Sequence, residues 1–191
     1  MSWADHVDAI STKTNQGIGL TKRIRDVLPL QVRVTFYNTL ILPLFDYGDV
    51  IWGDKNNDTI MSELQILQNK AAKVLLGQPT RSSSTEALRS LDLKSLSVRR
   101  FFHRCTVIHK CLIDETDFNF TFIKNQAVHS YNTIRSNDLR LPLSRTKWGK
   151  QTFIYQAAKD WNSLPSDLKE THFLSLFKSE LKTFLKDFDW F

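Results

Sequence analysis

Two carboxylates in the segment FDYGD, Asp46 and Asp49, are the closest approach in this chain to a divalent-metal site for phosphoryl transfer. Two-metal chemistry needs several carboxylates held together, because both ions must grip the attacking and leaving oxygens in line. The chain has no adjacent pair of aspartates, and no alternating apolar strand presents Asp46 and Asp49. It also lacks a G-x-x-x-x-G-K-[ST] phosphate loop and an H-E-x-x-H helix. We interpret both aspartates as solvated or helix-capping residues, and we predict no catalytic residue.

The segment HRCTVIHKC contains four side chains that are good zinc ligands: His103, Cys105, His109 and Cys111. On a helix, Cys105 and His109 share a face, but Cys111 lies about 240° round the axis from Cys105. The four side chains therefore cannot converge unless the helix breaks, and we predict no metal site. Two cysteines in a chain without an export signal are expected to be free thiols.

Basic residues are concentrated in the second half of the chain. Residues 1–80 hold eight Lys or Arg and eight Asp or Glu, net zero, whereas residues 81–191 hold eighteen basic and twelve acidic residues, net +6. Residues 124–159 carry seven basic residues against Asp138 alone. Such stripes attract polyanions, although solvated helix faces on a basic protein give the same composition.

Hydrophobic periodicity predicts a mainly α protein. We predict helices at about residues 3–27, 30–50, 59–76, 85–91, 94–113, 153–162 and 175–187. Pro29 fits a first helical turn, Gly77 fits a helix end, and Ser83 with Glu86 has the spacing of a capping box.

The second and third of these helices should pair in antiparallel fashion through a turn at residues 53–58. The third carries an apolar stripe of Ile60, Leu64, Leu67, Ala71 and Val74. The second offers a face of Val32, Phe36, Leu40 and Leu44, and Pro43 should kink it.

The C-terminal segment predicts an amphipathic helix. Its apolar stripe consists of Leu174, Phe177, Leu181, Phe184 and Phe188, which we expect to pack in a core. Its opposite face carries Lys178, Lys182 and Lys186. Upstream, Leu139, Leu141 and Leu143 alternate with other residues and predict a short extended or edge-strand segment near 139–145, since Pro142 confines a strand to an edge.

Several motifs carry a family resemblance. FYNTLILPLFDYGDVIWG followed by LQILQNKAAKVLLG closely resembles the segment just after the polymerase palm in non-LTR retrotransposon reverse transcriptases. Trp3 and His6, and the basic stretch GIGLTKRIRDVLP, resemble the first helix after that palm. DWNSLPSDLKE and FLSLFKSELKTFL resemble the closing motif of jockey-like, LINE-type elements, whereas residues 114–150 match only loosely.

The resemblance implies a helical thumb-like bundle. Residues 1–115 would form the thumb-like region, 116–150 a basic, partly extended connector, and 151–191 a C-terminal helical segment packing on the first region. In the related elements the catalytic aspartates lie upstream of this region. The chain would thus be a non-catalytic C-terminal fragment of an RNA-directed DNA polymerase, without a cofactor of its own, since magnesium would belong to the parent polymerase with its palm and fingers.

The implied partner is the backbone of an RNA/DNA duplex, which is close to A-form and is recognised by shape and phosphate contacts. Lys22, Arg23 and Arg25 match the basic stretch of the family's thumb helix and are the first candidates for phosphate contact. Charge and periodicity alone add Arg99, Arg100 and Arg104. We assign Trp161 and Pro165 to structure rather than to contact.

An alternative is a stand-alone helical protein-interaction module derived from such an element, with exposed apolar patches for a protein partner. The sequence predicts neither a signal peptide nor a membrane span, because acidic Asp5 and Asp8 replace a leading basic cluster and apolar runs are short. We therefore expect an intracellular protein, cytoplasmic or nuclear, with no small-molecule substrate.

Overall fold

Helices account for most of the chain, as predicted. The computed structural model describes residues 3–53, 58–113, 120, 122–127 and 137–186, and the side chains of residues 58–60 and 126 lie outside the description. The described residues divide into two units, of which the first ends at Arg99 and the second begins at Arg100. The division into residues 1–115, 116–150 and 151–191 stays a prediction.

The first unit is built from helices α1 (Ala4–Ile24), α2 (Leu30–Phe36), α3 (Leu42–Asp46), α4 (Asp49–Trp52), α5 (Asp58–Leu76) and α6 (Ser84–Ser90). Helix α7 (Leu96–Leu112) begins in the first unit and continues into the second. The second unit adds a 3₁₀ turn (Asn125–Ala127) and helices α8 (Lys147–Lys150), α9 (Phe153–Asn162), α10 (Ser166–Glu170) and α11 (Leu174–Phe184).

The predicted helix at residues 30–50 is confirmed over residues 30–46, where α2, a π-helical turn and α3 follow one another without a gap. Between α2 and α3 the residues Tyr37–Ile41 form a π-helical turn, in which the Leu42 N–H donates to the Tyr37 carbonyl. Pro43 explains the wide turn, because it has no N–H to donate and its ring needs space against the preceding turn. The chain leaves the helix after Asp46 and restarts at Asp49.

The predicted buried face of this segment is confirmed for Phe36 and Leu44, which pack at the margin of the core, and is wrong for Val32 and Leu40. Val32 and Leu40 are 47% and 55% exposed, whereas the core contains Tyr37, Ile41 and Phe45. Both faces are apolar, so hydropathy does not choose between them. The choice is made by packing, because the π turn and α3 lie against α1.

The stripe on α5 is confirmed where it is described. Leu64 and Ala71 are buried, and Leu67 and Val74 pack at the margin of the same core. Ile60 lies outside the described side chains. The main neighbour of α5 is α1, which contributes Val7, Ile10 and Ile18, with α2 a smaller neighbour.

Helix ends in the first unit follow the predicted local signals. The Ser83 hydroxyl accepts a hydrogen bond from the Glu86 N–H at 3.3 Å and caps α6. Gly77 follows α5 at φ +70°, a left-handed conformation that glycine adopts without strain. In the part of the chain that the structure describes, no helix combines the length and apolar character needed to cross a membrane.

The core of the second unit is aromatic. The His109 ring stacks on Phe177 at 4.2 Å between centroids, and Trp161 lies 5.7 Å from Phe177. Phe177 and Leu181 are fully buried, so the core packing predicted for the C-terminal stripe is confirmed for these residues. Phe188 lies outside the described residues.

In the extended or edge-strand segment expected near 139–145, the described residues form one isolated antiparallel bridge, Lys124 with Leu139. The Leu139 N–H and carbonyl are both bonded by the side-chain amide of Asn162, at 2.7 and 2.9 Å. Leu139 is buried, but Leu141 and Leu143 are exposed, so the alternation does not mark one buried face. Helices α8 and α10 were not predicted, because four and five residues are too few to show a period.

Candidate nucleic-acid interface

The C-terminal end of α1 carries the cations that the sequence ranks first. Lys22 and Arg23 lie in its last turn and are exposed. Cations are favourable there, because the last carbonyls give a helix a partial negative charge. Arg25 follows the helix, is part-exposed, and its Nε lies 3.0 Å from the Asp26 carboxylate.

The end of α5 lies beside the end of α1. The Arg25 side chain comes within 3.7 Å of the Cβ position of Gly77, just beyond α5. Earlier on α5, the Lys70 ammonium donates to the Asn15 side-chain oxygen of α1 at 3.0 Å. The two helices therefore run side by side towards ends that are close together.

This arrangement gathers cations from two helices that are distant in sequence. We call the following set the α1–α5 basic surface: Lys22, Arg23, Arg25, Lys70 and Lys73. Lys70 and Lys73 were not predicted as contacts. Their signal in the sequence is the i, i+3 spacing in NKAAK, which places both on the same side of α5, but only the packing of α5 on α1 brings them near the predicted residues.

Two cations near the C-terminal end of α5 donate hydrogen bonds to backbone carbonyls. Lys73 donates to the Thr80 carbonyl at 2.9 Å, and the Arg33 guanidinium donates to the Leu75 carbonyl. The second of these bonds satisfies a carbonyl at the end of α5, where helical partners run out. Lys22, Arg23 and Lys70 thus remain the most exposed charges for an external phosphate.

The second group of predicted contacts, all on α7, lies largely inside the protein. Arg104 is 1% exposed, and its Nε donates to the Asp160 carboxylate at 2.6 Å. Arg100 is also buried. A phosphate could reach Arg104 only by breaking a buried ion pair, which is strongly unfavourable. The burial of Arg100 and Arg104 argues against the predicted contact of these two residues with phosphate.

Arg99 is half-buried and pairs with Asp46 in a two-pronged contact. Its Nε donates to Asp46 Oδ1 at 3.0 Å and its Nη2 to Asp46 Oδ2 at 2.5 Å. Burial disfavours the Arg99 cation, but the hydrogen bond and charge of Asp46 outweigh burial and raise the pKa of Arg99 above its ordinary value. Arg99 therefore belongs to a half-buried ion pair within the protein.

Asp46 and Asp49 lie at a helix end and a helix start, as expected, but neither is simply solvated. Asp46 is held by Arg99, and Asp49 is buried in the first turn of α4. Near the Asp46–Arg99 ion pair, burial raises the pKa of Tyr37 to about 12. The Gln68 side chain and the positive charge of Arg99 oppose that rise. The ion pair between Asp46 and Arg99 holds the end of α3 against the start of α7.

The His and Cys residues of HRCTVIHKC lie on one unbroken helix, α7. Their side chains therefore leave the helix in different directions, as helix geometry predicts. His109 Nε2 lies 2.7 Å from the Thr171 carbonyl, and Cys105 and Cys111 are thiols rather than halves of a disulfide. His109 and Cys105 are parts of the core of the second unit.

Comparison of the chain with protein-family models, with curated protein sequences and with solved structures gives no match.

Proposed function

We propose that this chain is a non-catalytic, thumb-like and C-terminal portion of a retrotransposon RNA-directed DNA polymerase, and that it binds the backbone of an RNA/DNA duplex. The observation that supports this best is the α1–α5 basic surface. The residues that match the family's basic thumb helix, Lys22 and Arg23, are exposed and lie on the same helix pair as Lys70.

The mode of contact follows from the chemistry of these side chains. Lysine and arginine at the end of a helix pair can touch successive phosphates, which positions a duplex without reading its sequence. A hybrid duplex near A-form offers a shallow minor groove and accessible backbones. Binding should be weak, insensitive to sequence and steeply dependent on salt, since each phosphate contact releases counterions. The chain alone would not extend a primer, because the catalytic aspartates would belong to the parent enzyme.

The test is fluorescence anisotropy of the full chain with a labelled RNA/DNA hybrid over a salt series. The variant Lys22→Glu/Arg23→Glu/Lys70→Glu should weaken binding and lower the slope of log affinity against log salt by about one for each phosphate that is no longer neutralised. The matched control is Arg89→Glu/Lys94→Glu/Lys186→Glu, which changes the net charge equally at exposed positions elsewhere. An equal drop in affinity in both variants would reduce the effect to net charge and contradict a localised surface.

A protein-interaction module is the second candidate, and exposed apolar side chains of the first unit support it. Val27, Tyr47, Ile51 and Ile66 are each more than half exposed. Side chains of this kind mark surfaces that a partner covers when they are contiguous. If the wild-type chain has no affinity for the hybrid at low salt, while Tyr47→Ser/Ile51→Ser raises its solubility and lowers self-association, the interaction module is favoured.

A further inference from the structure

The second unit presents an exposed segment in which cations alternate with large apolar side chains. Within residues 140–150, Arg140, Arg145, Lys147 and Lys150 are all exposed. Between them, Leu143 is 97% exposed and Trp148 is 64% exposed. An indole that lies mostly in water adds little to folding, because its apolar area stabilises the fold only when it is buried.

This segment, which we call the 140–150 platform, is fixed at both ends. At its start, the Arg140 N–H donates to the Ile123 carbonyl at 2.8 Å. The preceding residue, Leu139, is hydrogen-bonded through its backbone to the side chain of Asn162 on α9. At its end, the buried Gln156 side chain of α9 donates to the Lys150 carbonyl at 2.6 Å. Helix α9 therefore anchors the platform at both ends.

The middle of the platform is folded on itself. The Thr146 hydroxyl accepts from the Gly149 N–H at 3.1 Å and caps α8, and the Ser144 hydroxyl donates to the Thr146 carbonyl at 3.1 Å. A Cβ atom at Gly149 would lie 3.2 Å from Ser144 Cβ, so a side chain there would crowd the loop. The turn that carries Trp148 thus packs against the residue after Leu143, and a ligand would meet a pre-organised surface.

An open groove lies beside the start of the platform, at residues 140–143. It has a volume of about 280 Å³, and its walls include Phe122, Pro142 and Ile154, with Arg140 also lining it. A groove with apolar walls and a guanidinium suits a flat, partly polar ring that carries a nearby negative charge.

The charge of the platform is not neutralised by its neighbours in the sequence. No acidic residue occurs between Leu139 and Lys159. The flanking acids are already paired, Asp138 with Lys169 at 2.7 Å and Asp160 with Arg104. Four cations in a stretch of sequence without acidic residues favour a polyanion as the ligand.

We propose that the 140–150 platform binds single-stranded nucleic acid, with a base stacked on Trp148 and phosphates held by Arg145, Lys147 and Lys150. Stacking requires an unpaired base, because the bases of a duplex already stack on each other. A single strand also presents phosphate and base in alternation, which matches the alternation of cations and apolar side chains. A membrane surface would instead require cations and apolar groups on separate faces. The site lies in the other unit from the α1–α5 basic surface and goes beyond the duplex contact proposed above.

The experiment uses the full chain and a labelled oligothymidylate in fluorescence anisotropy. Trp148→Ala should weaken binding about ten-fold or more, the range expected for one stacked base, and Trp148→Phe should retain most of the affinity. Phe173→Ala is the matched control, since Phe173 is an exposed aromatic of the same unit at the start of α11. An oligomer of abasic sites should bind the wild-type chain weakly, and it should bind Trp148→Ala with the same affinity. Circular dichroism verifies that each variant is folded.

Two results would overturn the inference. The first is that the Trp148→Ala variant binds the oligothymidylate as tightly as the wild-type chain does. The wild-type chain binding the abasic strand as tightly as the oligothymidylate would count equally against it. The second is that Trp148→Ala leaves the affinity for the oligonucleotide unchanged but binds vesicles that contain phosphatidylserine more weakly than the wild-type chain does. Binding to vesicles of phosphatidylcholine alone would be the same for both chains. Failure of the duplex proposal is distinguishable, because Lys22→Glu/Arg23→Glu/Lys70→Glu would then leave hybrid binding intact, whereas Trp148→Ala is expected to affect only the single strand.

Discussion

The basic end of α1 and the basic stretch of α7 look equivalent as sequence but differ in the folded chain. Lys22 and Arg23 are exposed at a helix end, whereas Arg104 is buried against Asp160 and Arg99 is paired with Asp46. The first group is available to a polyanion and contributes little to stability. The second group is engaged in ion pairs within the protein, and at the fully buried Arg104 an unpaired charge would be costly. A cluster of arginines therefore indicates a binding surface only after burial is known.

The largest loss of stability is expected from removing the Arg104 side chain. Arg104→Ala should lower the free energy of unfolding by about 3–5 kcal/mol, because it leaves the Asp160 carboxylate buried without its partner. Urea denaturation followed by circular dichroism measures the decrease. The surface control Arg23→Ala should change stability by about 0.5 kcal/mol or less.

A double variant separates the ion pair itself from the charge that Arg104→Ala leaves behind. Arg104→Met/Asp160→Leu should recover much of the stability, since apolar side chains of similar size can replace a buried ion pair. A melting curve of Arg104→Ala that overlays the wild type would show that Arg104 is available for another role.

Tyr37, which lies near the Arg99–Asp46 ion pair, should make the stability of the first unit depend on alkaline pH. The unfolded side chain loses its proton near pH 10, whereas the folded one keeps it to about 12. Between these values the unfolded state binds fewer protons, so the free energy of unfolding should fall as pH rises, by up to about 2–3 kcal/mol. The stabilisation is complete below pH 10.

The measurement is urea unfolding at a series of alkaline pH values for wild type and Tyr37→Phe. Subtracting the two curves removes the contribution of the other tyrosines, lysines and arginines. A difference that stays constant from about pH 9 upwards would mean that Tyr37 titrates as it does in the unfolded chain.

The smallest stability effect is expected at Arg99, whose ion pair is partly exposed. Arg99→Ala should cost about 1 kcal/mol, because solvent screens the pair although its geometry is two-pronged. Arg99→Lys should recover only part of this decrease in urea denaturation, since lysine cannot reproduce the paired donors. An effect as large as that of Arg104→Ala would place Arg99 energetically with the buried group.

Local signals determined much of this protein. The N-cap at Ser83, the helix end at Gly77, the described part of the α5 stripe, and Phe177 and Leu181 of the C-terminal stripe could be predicted from the sequence, because each depends on neighbours within a few residues. The unbroken helix through HRCTVIHKC likewise followed from local periodicity. Its geometry alone showed that the four potential ligands diverge.

Tertiary structure decided what depends on residues far apart in sequence. The choice of Tyr37, Ile41 and Phe45 as the buried face follows from packing against α1, since both faces of that segment are apolar. Lys70 joins Lys22 because α5 lies along α1. Arg104 is internal because Asp160, fifty-six residues later, is buried beside it. The sequence states the sign of a charge, but only the fold determines whether that charge meets water, a phosphate or a partner in the core.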